Sequence, residues 1–307
     1  MAQRVRITDV SPRDGLQNEA GVIATADKAT LVRLLAASGV DEVEVTSFVS
    51  PKWVPQLGDA AELLALLNQP GRAGPPVFSV LVPNAKGMEG VLAGPVRGVI
   101  DRVAVFTAAS ETFSKRNTNA TIAETIERFR PVVVQAHAHG LPVRGYISCV
   151  IACPFEGPIA PAQVIDVAAR LIEVGVDEID LGDTIGAGDE LNMSRLLDLY
   201  GREIGLERRG VERMTLHLHD TFGRAAACVR VALAAGVRSF DGSVAGLGGC
   251  PYASTPERRA PGNIDSALLV RTVHEAGYET GVDLAALERA AVHARAIIAA
   301  ARAGVTS

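Results

Sequence analysis

The sequence predicts a parallel α/β barrel of the (β/α)8 class, followed by one further helix. Short β-branched runs alternate with longer helical patterns along most of the chain, which is the order of repeated βα units. Polar and charged residues cluster where the predicted strands end, and barrels of this class build their sites at that edge. A doubly wound open sheet would carry a glycine-rich phosphate loop after its first strand, and SPRDGL at 11–16 is not one.

Eight strands and the helices around them are predicted from the periodicity of the apolar residues. The strands cover residues 5–10, 42–47, 77–82, 102–107, 143–148, 178–181, 215–219 and 239–244. Eight helices cover residues 27–38, 59–68, 85–93, 122–139, 161–174, 189–204, 223–235 and 264–276. Four helices are expected to end at left-handed glycines, namely Gly39, Gly140, Gly175 and Gly236.

The last predicted helix covers residues 284–303, and we expect it to pack against the barrel or against a partner subunit. No low-complexity linker interrupts the chain, so residues 1–307 are predicted to form one domain. Pro161 suits the first turn of its helix, where the missing N–H costs nothing.

The composition is that of a folded chain with a sizeable core, since 48% of the 307 residues are hydrophobic and 21% are charged. A net charge of -5 argues against nucleic acid as the main partner, because phosphate binding favours a basic face. Neither a secretion signal nor a membrane-length apolar stretch is predicted. The four scattered cysteines indicate reduced thiols and a cytoplasmic location.

The stretch HLHD at 217–220 places two of the six histidines one residue apart, near the end of a predicted strand. Residues two apart in a strand point to the same face, so the imidazoles of His217 and His219 can reach one point. Two core histidines bonded to the backbone would give the same pattern. The position at the carboxyl end of a barrel strand favours a metal site, because neutral imidazole is a common ligand of divalent cations.

Oxygen donors for such a site follow other predicted strands. Asp14 follows the first strand and Asn263 follows the last, although an Asp beside Arg13 and an Asn beside glycine are also ordinary turn features. Glu44 and Asp183 lie on or just after two further strands. Together these oxygens and imidazoles suit Mg²⁺ or Mn²⁺ better than a thiolate-binding ion. Arg13 also offers a planar fork to a carboxylate or a developing enolate oxygen.

A glycine-rich loop, VAGLGGCPY at 244–252, is predicted after the last strand. Its glycines give a ligand room to approach the backbone. Cys250 at the tip of this loop could donate a proton or attack as a thiolate. A buried, inert cysteine would be the ordinary reading, but the flanking glycines and Pro251 argue against burial in a packed core.

Eight motifs are spread over most of the chain: SPRDGLQNE, TSFVSPKWVPQLGD, AASETFSKRN, RGYISC, CPFEGPI, LGDTIG, HLHDTFG and SVAGLGGCPYA. Through them the sequence resembles the 3-hydroxy-3-methylglutaryl-CoA (HMG-CoA) lyases. The HxHD element is shared with a larger superfamily that includes isopropylmalate and homocitrate synthases and the carboxyltransferase domain of pyruvate carboxylase. SFVSPKWVPQ and GLGGCPYA are similar to the lyase branch.

This resemblance implies a metal-dependent TIM barrel that cleaves an acyl-CoA substrate into acetyl-CoA and acetoacetate, and a homodimer as its assembly. The implied metal ligands are Asp14, His217, His219 and Asn263. The implied catalytic residues are Arg13, Glu44, Asp183, His217 and Cys250. The implied substrate-binding residues are Arg13, Gln17, Ser47, Tyr146 and Asn117.

The cleavage is a retro-Claisen reaction, and a divalent cation acts in it as a Lewis acid on the C3 hydroxyl. Either His217 or Asp183 is the expected base. Arg13 is expected to stabilise the thioester enolate, and Cys250 to protonate its carbon. The basic stretch 115–117 is either a patch for CoA phosphates or a solvated loop.

The chain departs from the family pattern after GLGGCPYA. Residues 254–261 lengthen the loop and add Arg258 and Arg259, and IDSALLV at 264–270 replaces the family's acidic pattern. A lyase for a related branched 3-hydroxyacyl-CoA is therefore a second hypothesis for the function. Weaker hypotheses are a condensing enzyme of the isopropylmalate synthase type, a non-catalytic binding barrel and a cysteine hydrolase that uses Cys250. The synthases usually carry extra C-terminal domains, which counts against a condensing enzyme.

Overall fold

The computed structural model describes residues 3–68, 74–205, 214–249 and 262–304. Its ten strands are β1 Arg6–Asp9, β2 Glu42–Ser47, β3 Val77–Leu81, β4 Arg102–Ala108, β5 Val143–Ser148, β6 Ala152–Cys153, β7 Gly157–Pro158, β8 Glu178–Asp183, β9 Met214–Leu218 and β10 Ser239–Gly242. Eight of them form a closed barrel in the order β1-β2-β3-β4-β5-β8-β9-β10, with every pair parallel. The predicted (β/α)8 TIM barrel is confirmed, and each barrel strand lies within two residues of its predicted bounds.

The helices are α1 Thr25–Ala37, α2 Ala60–Leu67, α3 Ala85–Leu92, α4 Glu111–Thr118, α5 Ile122–Ala138, α6 Pro161–Val174, α7 Glu190–Tyr200, α8 Ala225–Ala234, α9 Ser266–Glu275 and α10 Leu284–Ala303. The four glycines expected at left-handed positions have φ between 70° and 103°, as predicted. Within the described ranges, no helix combines the length and the apolar character that a membrane crossing requires.

Two elements of the structure were not predicted. The stretch AASETFSKRN contains helix α4, whose first turn is capped by the Ser110 side chain accepting from the amide of Phe113 at 3.0 Å. The interpretation of its basic residues as part of a solvated loop is therefore wrong, although the basic side chains are exposed. Strands β6 and β7 form a two-stranded antiparallel hairpin after β5.

The barrel closes where its first strand, β1, pairs with its last strand, β10. The buried carboxylate of Asp9 lies at this seam. It accepts from the amide of Ser11 at 2.9 Å, from the amide of Val244 at 3.1 Å and from the hydroxyl of Ser266 at 2.6 Å. One side chain therefore fastens the turn after β1 to the segments that follow β10.

The last helix packs on the outside of the barrel against α1, which confirms its prediction. Near its end, the Arg302 guanidinium makes a bidentate contact with the Glu19 carboxylate at 2.9 and 3.1 Å. Gly21 passes so close that a Cβ atom there would lie 2.0 Å from the Ala301 carbonyl oxygen. The loop between β1 and α1 is thereby fixed against α10.

The barrel interior contains charged side chains where parallel barrels usually have branched aliphatic ones. Arg144 is the largest of the fully buried side chains. Its guanidinium lies 3.0 Å from Glu42 and 2.8 Å from Glu178, and Arg102 lies 2.6 Å from the same Glu178. Arg6 also faces these two glutamates, at 3.6 and 3.7 Å. We call this set the ionic column.

An apolar patch lines another part of the interior. Leu81, Ala104 and Tyr146 are buried against one another, and Val49 and Phe106 pack on them. The interior therefore contains an apolar patch as well as the ionic column.

We predict that Arg144→Met destabilises the fold by at least ~3 kcal/mol, because Glu42 and Glu178 lose their fully buried cation and keep only Arg6 and Arg102. Chemical denaturation followed by circular dichroism measures this change. Arg130→Met is the matched control, since Arg130 pairs with Glu127 on the exposed surface of α5. Equal stability of the Arg144 and Arg130 variants would show that the column contributes nothing.

Candidate metal centre and active site

The turn after β1 carries Arg13 and Asp14. Residues Ser11–Gly15 form one π-helical turn with Pro12 in its first positions, where proline's missing donor costs nothing. The Val10 carbonyl oxygen accepts from three successive amides, those of Arg13, Asp14 and Gly15, at 3.2, 2.8 and 3.2 Å. This tight turn directs the two charged side chains to the mouth of the barrel.

The structure brings together all four residues predicted as metal ligands. The Nε2 atoms of His217 and His219 are 3.3 Å apart, on β9 and directly after it. A carboxylate oxygen of Asp14 completes a group of three buried ligand-type atoms within 4.8 Å of one another. Asn263 forms a β-bridge with His219, and its amide donates to Asp14 at 2.7 Å.

The chemistry of this cluster fits a divalent cation. Oδ1 of Asn263 and Nδ1 of His219 are buried, and neither has a hydrogen-bond partner in the described part of the chain. Burial would raise the pKa of Asp14, but the charges of Arg13, His217 and His219 lower it to about 2. Burial, together with the charge of His217, lowers the pKa of His219 to about 4. An anionic carboxylate and a neutral imidazole are the forms that bind metal.

The glycine loop passes directly over the cluster. Gly248 has a φ of +86°, and a Cβ atom there would lie 2.8 Å from Nδ2 of Asn263 and 2.9 Å from Oδ2 of Asp14. Only glycine leaves the two side chains in place while the loop follows this path. Cys250, Arg258 and Arg259 lie outside the described residues.

Arg13 provides a fixed positive charge beside the cluster. Its Nε and Nη2 both lie 2.6 Å from Oε2 of Glu44, and its Nη1 donates to Oδ1 of Asp14 at 2.8 Å. Burial would lower the pKa of Arg13, but the two carboxylates outweigh that effect and raise it. The guanidinium carbon also lies 5.6 Å from the centroid of the Tyr146 ring. Arg13, Glu44 and Tyr146 therefore meet at the mouth of the barrel.

Asp183 ends β8 and is buried. Its Oδ1 accepts from the amide of Ala187 at 3.0 Å, and its Oδ2 accepts from the amide of Gly188 at 2.7 Å. Burial raises the pKa of this carboxyl to about 6, although the two amides act against the shift. A carboxyl group that titrates close to neutrality is suited to proton transfer.

The other predicted residues have different local partners. Gln17 donates to Asp14 at 2.7 Å, so its amide supports a predicted ligand. The Ser47 hydroxyl accepts from the amide of Val49 at 3.0 Å and shapes the loop after β2. Asn117 is exposed on α4, and no hydrogen bond joins it to the cluster within the described residues. Asp220, the last residue of HLHD, accepts from the amide of Ala225 at 2.9 Å and so starts α8.

Asp241 is a site residue that the sequence analysis did not select. Its Oδ2 lies 3.1 Å from Nδ1 of His217, on the side of the imidazole away from the cluster. The sequence contains one indication of this residue. Asp241 lies in the last predicted strand, two residues before Ser243, and residues two apart in a strand face the same side, here the barrel interior.

A second group of buried ligand-type residues comprises Asp180, His217 and Asp241. The Arg144 guanidinium lies 3.8 Å from Asp180 and 3.4 Å from Asp241, so a cation already occupies the neighbourhood of both carboxyls. We therefore interpret this group as part of the buried charges around Arg144 and not as a second metal site.

The fold and the cluster define a TIM-barrel protein with a candidate metal centre of oxygen and nitrogen donors at its mouth. Residues 4–293 match the family described as HMGL-like, and the chain belongs to that family.

Curated relatives cover nearly the whole chain. The 3-hydroxy-3-isohexenylglutaryl-CoA/hydroxy-methylglutaryl-CoA lyase of Pseudomonas aeruginosa is 46% identical over 94% of this chain and 90% of its own length. The hydroxymethylglutaryl-CoA lyase of Pseudomonas mevalonii is 45% identical over 94% of this chain and 91% of its own length.

Solved structures give the same family. A hydroxymethylglutaryl-CoA lyase from Pseudomonas aeruginosa has a TM-score of 0.88 at 44% identity, covering 97% of this chain and 94% of that one. An HMG-CoA lyase from Acinetobacter baumannii, in complex with coenzyme A and 3-methylmalate, has a TM-score of 0.85 at 31% identity, covering 96% of this chain and 92% of that one.

We predict that His217→Ala and Asp14→Ala each weaken Mn²⁺ binding by at least ~10-fold, because each removes one donor from the cluster. Electron paramagnetic resonance titration of free Mn²⁺ measures this affinity. His274→Ala is the control, since His274 is an exposed residue of α9 bonded to Thr280. Unchanged affinity in both site variants would defeat the ligand assignment.

Proposed function

We propose that this chain is a divalent-metal-dependent carbon-carbon lyase that cleaves 3-hydroxy-3-methylglutaryl-CoA to acetyl-CoA and acetoacetate. The observation that carries the proposal is the buried cluster of Asp14, His217, His219 and Asn263 beside Arg13, in a chain 46% identical to a lyase of that substrate. A metal-binding barrel without activity would not need a buried guanidinium next to the ligands.

The cation in this site is Mg²⁺ or Mn²⁺, because its donors are oxygen and imidazole nitrogen. When bound, it supplies a Lewis acid for the oxygens of the substrate. Arg13 is fixed between Glu44 and Asp14, so its charge is in place before the substrate arrives. A preorganised guanidinium of this kind stabilises the negative charge that develops on the thioester oxygen during cleavage.

Asp183 is the better candidate for the base that takes the hydroxyl proton. His217 presents Nε2 to the cluster and Nδ1 to Asp241, so neither ring nitrogen is available to a substrate proton while the imidazole binds metal. Asp183 is not one of the proposed metal ligands, and burial raises the pKa of its carboxyl to about 6. Cys250 remains the proposed proton donor to the enolate carbon, on the strength of the family resemblance.

A related branched 3-hydroxyacyl-CoA is the second candidate substrate. The curated name of the Pseudomonas aeruginosa relative includes a 3-isohexenyl-substituted glutaryl-CoA, a substrate with a longer group at C3. The lengthened segment 254–261 follows Cys250 and adds two arginines. The single domain, the homodimer and the cytoplasmic location stay predictions.

We expect metal-replete protein to form acetyl-CoA from 3-hydroxy-3-methylglutaryl-CoA, measured with a coupled citrate synthase assay. EDTA should abolish the activity, and Mg²⁺ or Mn²⁺ should restore it, because the chemistry depends on the cation. Activity that survives EDTA would favour a cysteine hydrolase. If the protein turned over the isohexenyl ester and not 3-hydroxy-3-methylglutaryl-CoA, the second candidate substrate would replace the first.

The pH profile of kcat/KM tests the role of Asp183. Its carboxyl accepts a proton only when ionised, so activity should rise with pH through about 6 and then level off. Asp183→Asn should lose ~10²–10⁴-fold in kcat.

Asp166→Asn, an exposed change on α6, is the matched control for Asp183→Asn. It should retain the wild-type rate and profile. An acid limb near pH 6 that persists at full rate in Asp183→Asn would exclude Asp183 as the base.

A further inference from the structure

We propose that Asp241 is a positioning residue of the metal centre: it holds the ring proton of His217 on Nδ1 and so directs the Nε2 lone pair toward Asp14 and His219. This inference rests on the proposed metal-dependent function, since an imidazole that binds no metal has no need of a fixed tautomer.

The geometry around His217 is two-sided. Nδ1 lies 3.1 Å from Oδ2 of Asp241, and Nε2 lies 3.3 Å from Nε2 of His219. A neutral imidazole carries one proton, and the nitrogen that carries it is chosen by the hydrogen-bond acceptor it faces. A carboxylate on the Nδ1 side therefore leaves Nε2 as the nitrogen free to bind a cation.

Backbone pairing and side-chain contacts hold Asp241 in place. It is directly opposite His217 in the register of β10 and β9, so the two side chains share the inner face of neighbouring strands. Its Oδ1 accepts from Nη1 of Arg144 at 3.4 Å, and its Oδ2 accepts from the Tyr146 hydroxyl at 3.4 Å. The ionic column thus reaches the metal centre through one carboxylate.

A second carboxyl, that of Asp180, lies beside Asp241. A ligand-type oxygen of each lies within 4.8 Å of the other and of a ring nitrogen of His217. Neither oxygen of Asp180 has a hydrogen-bond partner in the described part of the chain, whereas Asp241 contacts His217, Arg144 and Tyr146. Asp241 is therefore the carboxyl of the two that is held against the imidazole.

The other histidine ligand lacks an equivalent partner. Nδ1 of His219 is buried, and within the described residues no atom accepts or donates a hydrogen bond to it. The proposed control by a carboxylate is therefore specific to His217, and its loss should leave the tautomer of His219 unaffected.

The test replaces Asp241 by asparagine, which has nearly the same shape but only one accepting atom. If its amide nitrogen faces His217, the imidazole must accept at Nδ1 and move its proton to Nε2. If its oxygen faces His217, its amide nitrogen faces the Arg144 guanidinium, and two donors oppose each other. The first arrangement moves the proton to the nitrogen that faces the cluster, and the opposed donors disfavour the second.

We expect long-range ¹H–¹⁵N spectra of metal-free, ¹⁵N-histidine-labelled wild type at alkaline pH to show His217 protonated at Nδ1. The Asp241→Asn variant should shift toward protonation at Nε2, and its Mn²⁺ affinity should fall by ~10–100-fold. The His217 signals are assigned by their absence in His217→Gln. The wild-type spectrum suffices as a test even if the variant does not fold, since protonation at Nε2 would overturn the proposal.

Asp180→Asn is the matched control, because it makes the same change at the neighbouring buried carboxyl and leaves the contact between Asp241 and His217 in place. It should keep both the Nδ1 proton of His217 and the Mn²⁺ affinity of the wild type. A loss equal to that of Asp241→Asn would assign the effect to general damage of the barrel interior and reject a positioning role. The tautomer is read without metal or substrate, so its failure leaves the proposed lyase activity standing, and inactivity toward CoA esters leaves the tautomer result standing.

Discussion

The pairing of β1 with β10 is the constraint on which the metal centre depends. Asp14 and Asn263 are 249 positions apart in the chain, yet their side chains share a hydrogen bond of 2.7 Å. No local motif can produce that contact, because it lies where the first barrel strand, β1, meets the last, β10. Asp9 strengthens the same seam by binding segments that precede and follow it. The site is therefore a property of the closed fold, and the closure of a long chain segment is an entropic cost that the whole core offsets.

Much of the architecture and the four clustered residues could be predicted from the sequence. Strand ends in a parallel barrel meet at one edge, so Asp14, His217, His219 and Asn263 could be grouped without coordinates. The interior partners could not. EVEVTS at 42–47 has the alternation of a half-exposed strand, yet Glu42 and Glu44 are fully buried inside the barrel, and the valines pack beneath the helices. Alternation gives the two faces of a strand but does not indicate which one is inside.

Helix α4 was missed for a different reason. It spans only eight residues, and its sequence ETFSKRNT is polar with weak helical periodicity. Its start depends on a serine cap, and its N-terminal amide at Thr112 also donates to Glu156 of the neighbouring hairpin at 2.7 Å. Short helices of this kind are stabilised by tertiary contacts more than by propensity, so the sequence contains little sign of them.

The ionic column adjoins the candidate metal centre. Arg6, Arg102 and Arg144 face Glu42, Glu178 and Asp241, and Asp241 contacts His217. Ion pairs this deep carry a large desolvation cost, and their removal in favour of apolar residues often stabilises a fold. Here Arg144 also contacts Asp241, so the buried ion pairs are joined to His217 through one carboxylate.

Gly248 has a consequence for attempts to redesign substrate range. Its loop is rich in glycine, which suggests a tolerant segment suited to random mutagenesis. The absence of a side chain there is a matter of volume, since even a methyl group would overlap the Asp14–Asn263 pair. A library that varies this position would sample loss of the metal centre rather than new specificity. Diversity at Val49 and Phe106, which pack on the apolar patch of Leu81, Ala104 and Tyr146, leaves the Asp14–Asn263 pair unchanged.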